Sequence, residues 1–229
     1  MKSKLGIEER IGLTFKDKRL LQKSLTHRSY LNERGKALGS NERLEFLGDA
    51  ILEFVVSEHI FQRFPDQEEG YLTAVRSKLV NTISLAATAR ELRIGGEIYM
   101  SRGEESGGGK DRSGLLADTV EALIGAIFID QGIEKVKEFI TRFIIVKIPE
   151  VTKNPLKDPK SRLQELAQAA GFRSPSYRTL SQKGPDHERN FTIEVWIKNK
   201  VYGQGSGLSK QIAQQKAAEE ALKEWNKGT

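Results

Sequence analysis

The sequence predicts an all-α N-terminal domain followed by a small α+β domain of order α-β-β-β-α. Three observations carry this reading. Apolar residues recur at three- and four-residue spacing through most of 18–146, prolines cluster at 149, 155 and 159, and short turn-punctuated segments follow from 177 to 207.

The helical repeats fall at 18–25, 40–64, 69–92, 113–130 and 133–146. Residues 101–113, rich in Gly, Ser and charge, read as an irregular segment ending at Ser113, a suitable N-cap for the helix that follows. Pro149, Pro155 and Pro159 deny the chain a continuous helix or strand, so the domain boundary is expected there. The expected division is 1–150, a linker at 151–157, and 158–227. In the last segment 159–170 reads as a helix closed by Gly171. Strands are expected at 177–182, 190–197 and 201–207, with turns at 184–188 and 198–200, and a final helix at 209–225.

Composition narrows the chemistry. The chain of 229 residues has no Cys and only three His, which excludes disulfides, thiol catalysis and Cys-ligated zinc or iron–sulfur centres and leaves oxygen as the ligand for any metal. The formal charge of +6 is not evenly spread. Residues 153–229 hold 14 Lys+Arg and 8 Asp+Glu, whereas residues 1–152 hold 23 of each sign. All the excess positive charge therefore lies in the last third, as in a module that binds a polyanion. The first ten residues lack the apolar core of a signal peptide, and the longest apolar run, 115–129, contains Asp118 and Glu121. A soluble, cytoplasmic protein with no membrane span is expected.

Two groups of acids stand out. On a helix of about 100° per residue, Glu42, Glu45 and Asp49 share one face, opposite Leu44, Leu47, Ile51 and Val55. Phe46, Leu52 and Val56 flank that face, so apolar residues nearly encircle the helix and the acids are expected in a cleft or interface. The run 114–129 is apolar on all sides except at Asp118, Thr119 and Glu121, which marks a core helix. Burying Asp118 and Glu121 one turn apart costs several kcal/mol unless something compensates. Arg43, Arg76 and Arg112 are possible ion-pair partners. A bound cation is the more economical alternative: Glu45, Asp49, Asp118 and Glu121 would make an oxygen-only site suited to Mg²⁺ or Mn²⁺. A di-iron site would need Glu-x-x-His, but Gly48 follows Glu45 and Ile124 follows Glu121 at that spacing.

Two other motifs are set aside. Gly109-Lys110 does not complete a Walker A loop, because position 104 is Glu and position 111 is Asp. His27, with no evident catalytic partner in the sequence, reads as a structural histidine. In the last third, Lys160, Gln164, Glu165 and Gln168 lie along one helical face, Pro185, Asp186 and His187 occupy a turn, and Ser209, Lys210 and Gln211 open the final helix, where free backbone amides favour a phosphate. Phe191, Val195 and Trp225 fit the core, leaving little aromatic surface for stacking single-stranded bases, so duplex nucleic acid is favoured.

Residues 158–225, with Asp-Pro-Lys-Ser-Arg-Leu-Gln-Glu, Gly184-Pro-Asp-His187, Gly203-x-Gly205-x-Gly207 and Ser209-Lys210…Lys216-Ala-Ala218, resemble a double-stranded RNA-binding domain. Asn41-Glu-Arg-Leu-Glu-Phe-Leu-Gly-Asp-Ala50 resembles the signature of the ribonuclease III family, and Asp118-x-x-Glu121 is similar to its second acidic pair. The resemblance covers essentially the whole chain. It implies a homodimer joined through the nuclease domain, an Mg²⁺ centre at Glu45, Asp49, Asp118 and Glu121, and auxiliary acids at Glu42 and Glu69. It also implies cleavage of double-stranded RNA to 5′-phosphate and 3′-hydroxyl ends with short 3′ overhangs, in the processing of ribosomal and other structured transcripts. One position departs from the pattern: many such domains carry a second Lys after Lys210, whereas this chain has Gln211, a change expected to weaken a phosphate contact by about 1 kcal/mol.

Overall fold

The computed structural model describes residues 6–34, 39–153, 156, 158–185 and 189–227. The chain divides into two compact units, Met1–Leu156 and Lys157–Thr229. The first is helical: α1 (Ile7–Ile11), α2 (Lys18–Ser24), α3 (Arg28–Arg34), α4 (Glu42–Arg63), α5 (Glu69–Val80), α6 (Thr82–Glu91), α7 (Arg102–Ser106), α8 (Ser113–Gln131), α9 (Ile133–Phe143) and α10 (Ile148–Lys153). The second comprises α11 (Pro159–Ala169), β1 (Ser176–Lys183), β2 (Asn190–Ile197), β3 (Lys200–Gly207) and α12 (Lys210–Lys227).

Helix α8 is the axis of the first unit. Ten of its nineteen residues are buried, in a stretch from Leu116 to Ile127 interrupted only at Asp118 and Glu121. Helices α4, α6, α2 and α9 surround it, as expected for a helix apolar on all sides. The closest approach is to α4, at two glycines. A Cβ built on Gly48 would lie 1.8 Å from the Glu121 carbonyl oxygen, and one on Gly125 would lie 2.2 Å from that of Leu44. The two backbones therefore touch, and no side chain larger than hydrogen fits at either position.

The expected 69–92 helix is two helices. Asn81 leaves the helical region (φ −69°, ψ 160°) and its side chain accepts from the Ser84 amide, capping α6; the local cap outcompetes continuation of the apolar repeat. Ser113 does not cap α8 but is its first residue, and its hydroxyl accepts from Arg90. The segment expected to be irregular contains α7, capped by Ser101, whose side chain accepts from the Glu104 amide. Helix α10 takes up the first half of the segment expected as a linker, with Pro149 in its first turn, where no amide is needed. Val151 and Leu156 pack on the core of the first unit; Pro155 lies outside the described residues.

The second unit is an antiparallel meander, β1-β2-β3, with α12 packed on β2 and β3 and α11 packed against α12. Asp158 caps α11, accepting from the Lys160 and Ser161 amides, with Pro159 in the first turn. The small residues of β3 and α12 interlock: Ala213, Ala217, Ala218 and Ala221 are fully buried, and a Cβ on Gly205 would lie 2.2 Å from the Ala217 amide nitrogen.

These contacts predict a position-specific effect of one added methyl. Gly48→Ala or Gly125→Ala should lower stability by about 1–3 kcal/mol through overpacking. Gly114→Ala, on the same helix α8 with nothing within 4 Å of its Cβ, should be neutral or stabilising by about 0.5 kcal/mol. Urea unfolding of the three variants checks this; equal midpoints would contradict it.

Candidate metal centre and nucleic-acid interface

Because α4 and α8 touch at Gly48 and Gly125, Glu45 and Glu121, one turn from these glycines, and Asp118, two turns from Gly125, are carried to the same place. Carboxylate oxygens of Glu45, Asp118 and Glu121 lie within 4.8 Å of one another, and all three residues are partly buried. Burial and the neighbouring carboxylates shift them together. The Glu121 carboxyl is pushed up to about 8, first by burial and then by Asp49, Asp118 and Glu45. Glu45 is raised by burial and by Asp118, and Asp118 by burial, against the opposing influence of His27.

The arginines considered as partners are engaged elsewhere. Arg76 pairs with Glu53 at 2.8 Å and donates to the Ser57 hydroxyl, and Arg112 pairs with Glu104 at 2.5 Å. Arg43 is exposed. Among the described residues no Lys or Arg forms an ion pair with Glu45, Asp118 or Glu121. Clustered, half-buried carboxylates without cationic partners fit a hard divalent cation better than a salt-bridged core.

The other expected acids sit further out. Asp49 is exposed and stands outside the three-carboxylate group, yet it is the strongest charge acting on Glu121. Glu42 is exposed, accepts from the Ser40 hydroxyl and lies 3.6 Å from Arg28, while its charge raises Glu45. Glu69 opens α5, accepts from Thr73 and lines a different cavity, with Phe54, Phe61 and Arg76.

In the second unit Gln164, Glu165 and Gln168 are exposed on α11, with Gln168 donating to the Ser174 hydroxyl. Lys160 does not share that solvent face. Its ammonium donates to Gln214 at 2.6 Å and lies 4.9 Å from the Tyr177 ring centre, while Gln215 bonds both Asp158 and the Lys160 amide. Lys160 thus joins α11 to α12. Gln214 and Gln215 carry no motif of their own, and the sequence alone does not single them out; their spacing of four and five residues from Lys210 is the one signal that points to that corner. Tyr177, beneath Lys160, has a buried hydroxyl and a pKa pushed up to about 12 by burial and Asp158. Ser209 caps α12 by accepting from the Ile212 amide, and Lys210 and Gln211 are exposed in its first turn. Pro185 is exposed; Asp186 and His187 lie outside the described residues. Val195 is buried as expected, whereas Phe191 and Trp225 are half-buried. Phe191 lies under Lys210, and Trp225 packs against Phe172 and Tyr202.

A helical unit with a three-carboxylate cluster is joined to an α-β-β-β-α unit, and comparisons with known proteins place both in a class of nucleases that carry a double-stranded RNA-binding motif. Residues 17–148 match the ribonuclease-III-like family model, and 159–224 match the double-stranded RNA binding motif. The chain is 48% identical over 217 residues to Ribonuclease 3 of Bacillus cereus strain G9842, covering 94% of this chain and 89% of that protein. A solved structure of the nuclease domain of ribonuclease III from Campylobacter jejuni, 43% identical, covers 62% of this chain and 96% of its own, with a TM-score of 0.58; a crystal structure of the same domain, 41% identical, covers 68% of this chain and 99% of its own, with a TM-score of 0.57. The chain belongs to the ribonuclease III family of endoribonucleases.

The raised Glu121 carboxyl makes metal binding a proton-releasing event. At pH 7, titration calorimetry with Mn²⁺ in buffers of different ionisation enthalpy should detect about one proton released per ion, falling towards zero in Glu121→Gln. The stability of the metal-free protein follows the same group. Its folded-state pKa lies above the ordinary carboxylate value, so its stabilising contribution is complete below about pH 4.5 and is lost as pH rises towards about 8. Glu121→Gln should flatten that pH dependence.

Proposed function

We propose that this chain is an Mg²⁺-dependent endoribonuclease that hydrolyses phosphodiester bonds in double-stranded RNA, acting as a homodimer. The observation that carries the proposal is the three-carboxylate group lacking cationic partners, held in the same chain as a double-stranded RNA-binding motif. In this reading residues 1–150 form the endonuclease domain and 158–227 the RNA-binding domain. Glu45, Asp118 and Glu121 would hold the ion, with Mn²⁺ able to substitute; Asp49 completes the catalytic set by orienting a ligand beside Glu121. When bound, the ion supplies Lewis acidity for phosphodiester hydrolysis. Glu42 and Glu69 serve as auxiliary acids along the cleavage surface.

Gln164, Glu165 and Gln168 on α11, the turn at 185–187, and Ser209, Lys210 and Gln211 at the start of α12 contact the duplex, with Lys160 keeping the two helices aligned. Contacts to 2′-hydroxyls across the wide, shallow minor groove select RNA over DNA. Gln211 leaves Lys210 as the cation of that helix start. The homodimer reading is supported by three exposed aromatics on α4, Phe46, Phe54 and Phe61, which are 81%, 59% and 71% exposed. They are spaced eight and seven residues apart and therefore share a face. An apolar cavity of about 530 Å³ adjoins Phe54 and Phe61, and one Campylobacter structure is described as showing flexibility in a region of dimer formation. Two copies of the centre, each cutting one strand, would leave 5′-phosphate and 3′-hydroxyl ends with short 3′ overhangs. Processing of ribosomal RNA and of structured messenger transcripts in the cytoplasm is the setting this reading implies. Among the described residues no helix is long and apolar enough to cross a membrane.

Long duplex RNA incubated with Mg²⁺ should be reduced to short duplexes, and Glu121→Gln should lower the rate by at least about a thousandfold, as expected when one ligand of a catalytic ion is lost. Undiminished cleavage by the variant would overturn the metal assignment. Failure of the unsubstituted protein to cut would overturn the enzymatic reading.

A further inference from the structure

Beside the carboxylate centre lies a polar cleft of about 510 Å³ lined by His27, Arg28, Ser29, Asn32, Glu104 and Arg112. None of these residues is a candidate metal ligand. The imidazole is oriented by a short relay. The Ser101 amide donates to the Ser29 hydroxyl oxygen at 3.0 Å, and that hydroxyl lies 2.8 Å from His27 Nδ1. The Ser29 amide also points at Nδ1, at 3.3 Å. With an N–H directed at it, Nδ1 is the acceptor, so the Ser29 hydroxyl donates to it and the ring proton resides on Nε2. The backbone is held as firmly, since the His27 amide donates to the Tyr99 carbonyl and the His27 carbonyl accepts from the Tyr30 amide. Among the described residues Nε2 has no protein partner and is not among the buried polar atoms.

The remaining groups of the cleft are mostly donors. Its single acid, Glu104, is paired with Arg112. The Arg28 side chain is 73% exposed and only loosely associated with Glu42, at 3.6 Å. Arg112 immediately precedes α8, and Asp118 lies six residues further on, about 9 Å along the helix axis. His27 and Asp118 are near enough that each perturbs the other's ionisation. Three clustered carboxylates with Asp49 beside them repel RNA, and a neighbouring anion-binding cleft offsets that repulsion where the strand is seated. Resting on the function proposed above, we infer that this cleft binds the backbone phosphate next to the scissile one, with His27 Nε2–H and the Arg28 guanidinium donating to its non-bridging oxygens. Burial holds the imidazole below its ordinary pKa, helped by the Arg28 charge and opposed by Glu104, Glu42 and Asp118. The sequence alone assigns His27 a structural place; the relay from Ser101 through Ser29 gives it a directional one.

The test is a phosphate-interference cycle on a defined RNA hairpin in which single phosphates are replaced by neutral methylphosphonates. His27→Asn keeps an acceptor near Nδ1 but removes the donor at Nε2; His27→Gln returns an amide donor near the Nε2 position; Arg28→Gln, at an exposed residue, tests the cleft without threatening the fold. A hydrogen bond to a charged group predicts a loss of roughly tenfold or more in kcat/KM for His27→Asn, with partial rescue by His27→Gln. At one flanking position the methylphosphonate should slow the unsubstituted protein about tenfold but His27→Asn and Arg28→Gln less than about twofold, while Mn²⁺ affinity stays unchanged. Identical sensitivity of all proteins at every phosphate, or loss of Mn²⁺ affinity in step with activity, would overturn the assignment. No cutting of the unmodified hairpin by the unsubstituted protein would instead overturn the enzymatic reading on which it rests.

Discussion

The contact between α4 and α8 at Gly48 and Gly125 is the constraint on which the site depends. Acids on two helices separated by ordinary side chains would stand well apart, since helix axes normally lie about 8–10 Å from each other. With hydrogen alone at both crossing positions, the carbonyls of Leu44 and Glu121 press against the opposite backbone, and Glu45, Asp118 and Glu121 converge. The packing that stabilises the core is thus the packing that assembles the centre. Its cost is visible in the carboxyl of Glu121, pushed up to about 8 by burial and by like charge. Among the described residues no Lys or Arg forms an ion pair with that carboxyl.

Much of the fold is legible in the sequence, and what is not depends on contacts between distant residues. Helix α8 announced itself as a core helix because apolar residues surround it, and that same feature made Asp118 and Glu121 conspicuous. The partner arginines were not legible, because Arg76 and Arg112 are spent on Glu53 and Glu104, contacts that only the tertiary fold creates. Asn81 looked like one polar residue in a long helical repeat, yet its side-chain cap ends one helix and starts the next. Gly48 lay inside a recognisable motif, but its steric role appears only once α8 is placed against it. Lys160 had the right spacing for an exposed basic face; spacing does not reveal that α12 lies alongside and takes its ammonium.

The division of charge acquires a physical meaning from the two units. The neutral unit concentrates acids at one point, while the unit with the excess of Lys and Arg presents its polar residues on α11 and at the start of α12. Within that unit the alanine and glycine interlock of α12 with β3, and the Asp158–Gln215 and Lys160–Gln214 bonds, fix α11 relative to α12. Rigid placement of these two helices is what a reader of duplex shape needs, because register along the grooves is set by the spacing of elements rather than by base-specific contacts.

Backbone contact at the two glycines is what brings the three carboxylates together. The most direct test of this dependence is Mn²⁺ binding followed by electron paramagnetic resonance in the metal-free unsubstituted protein and in Gly125→Ala, a variant that leaves every carboxylate in place. The account predicts that the variant remains helical by circular dichroism but binds Mn²⁺ at least about tenfold more weakly, a difference of about 1.4 kcal/mol. Equal affinity in the two proteins would show that the acids converge without that contact, and would contradict the account.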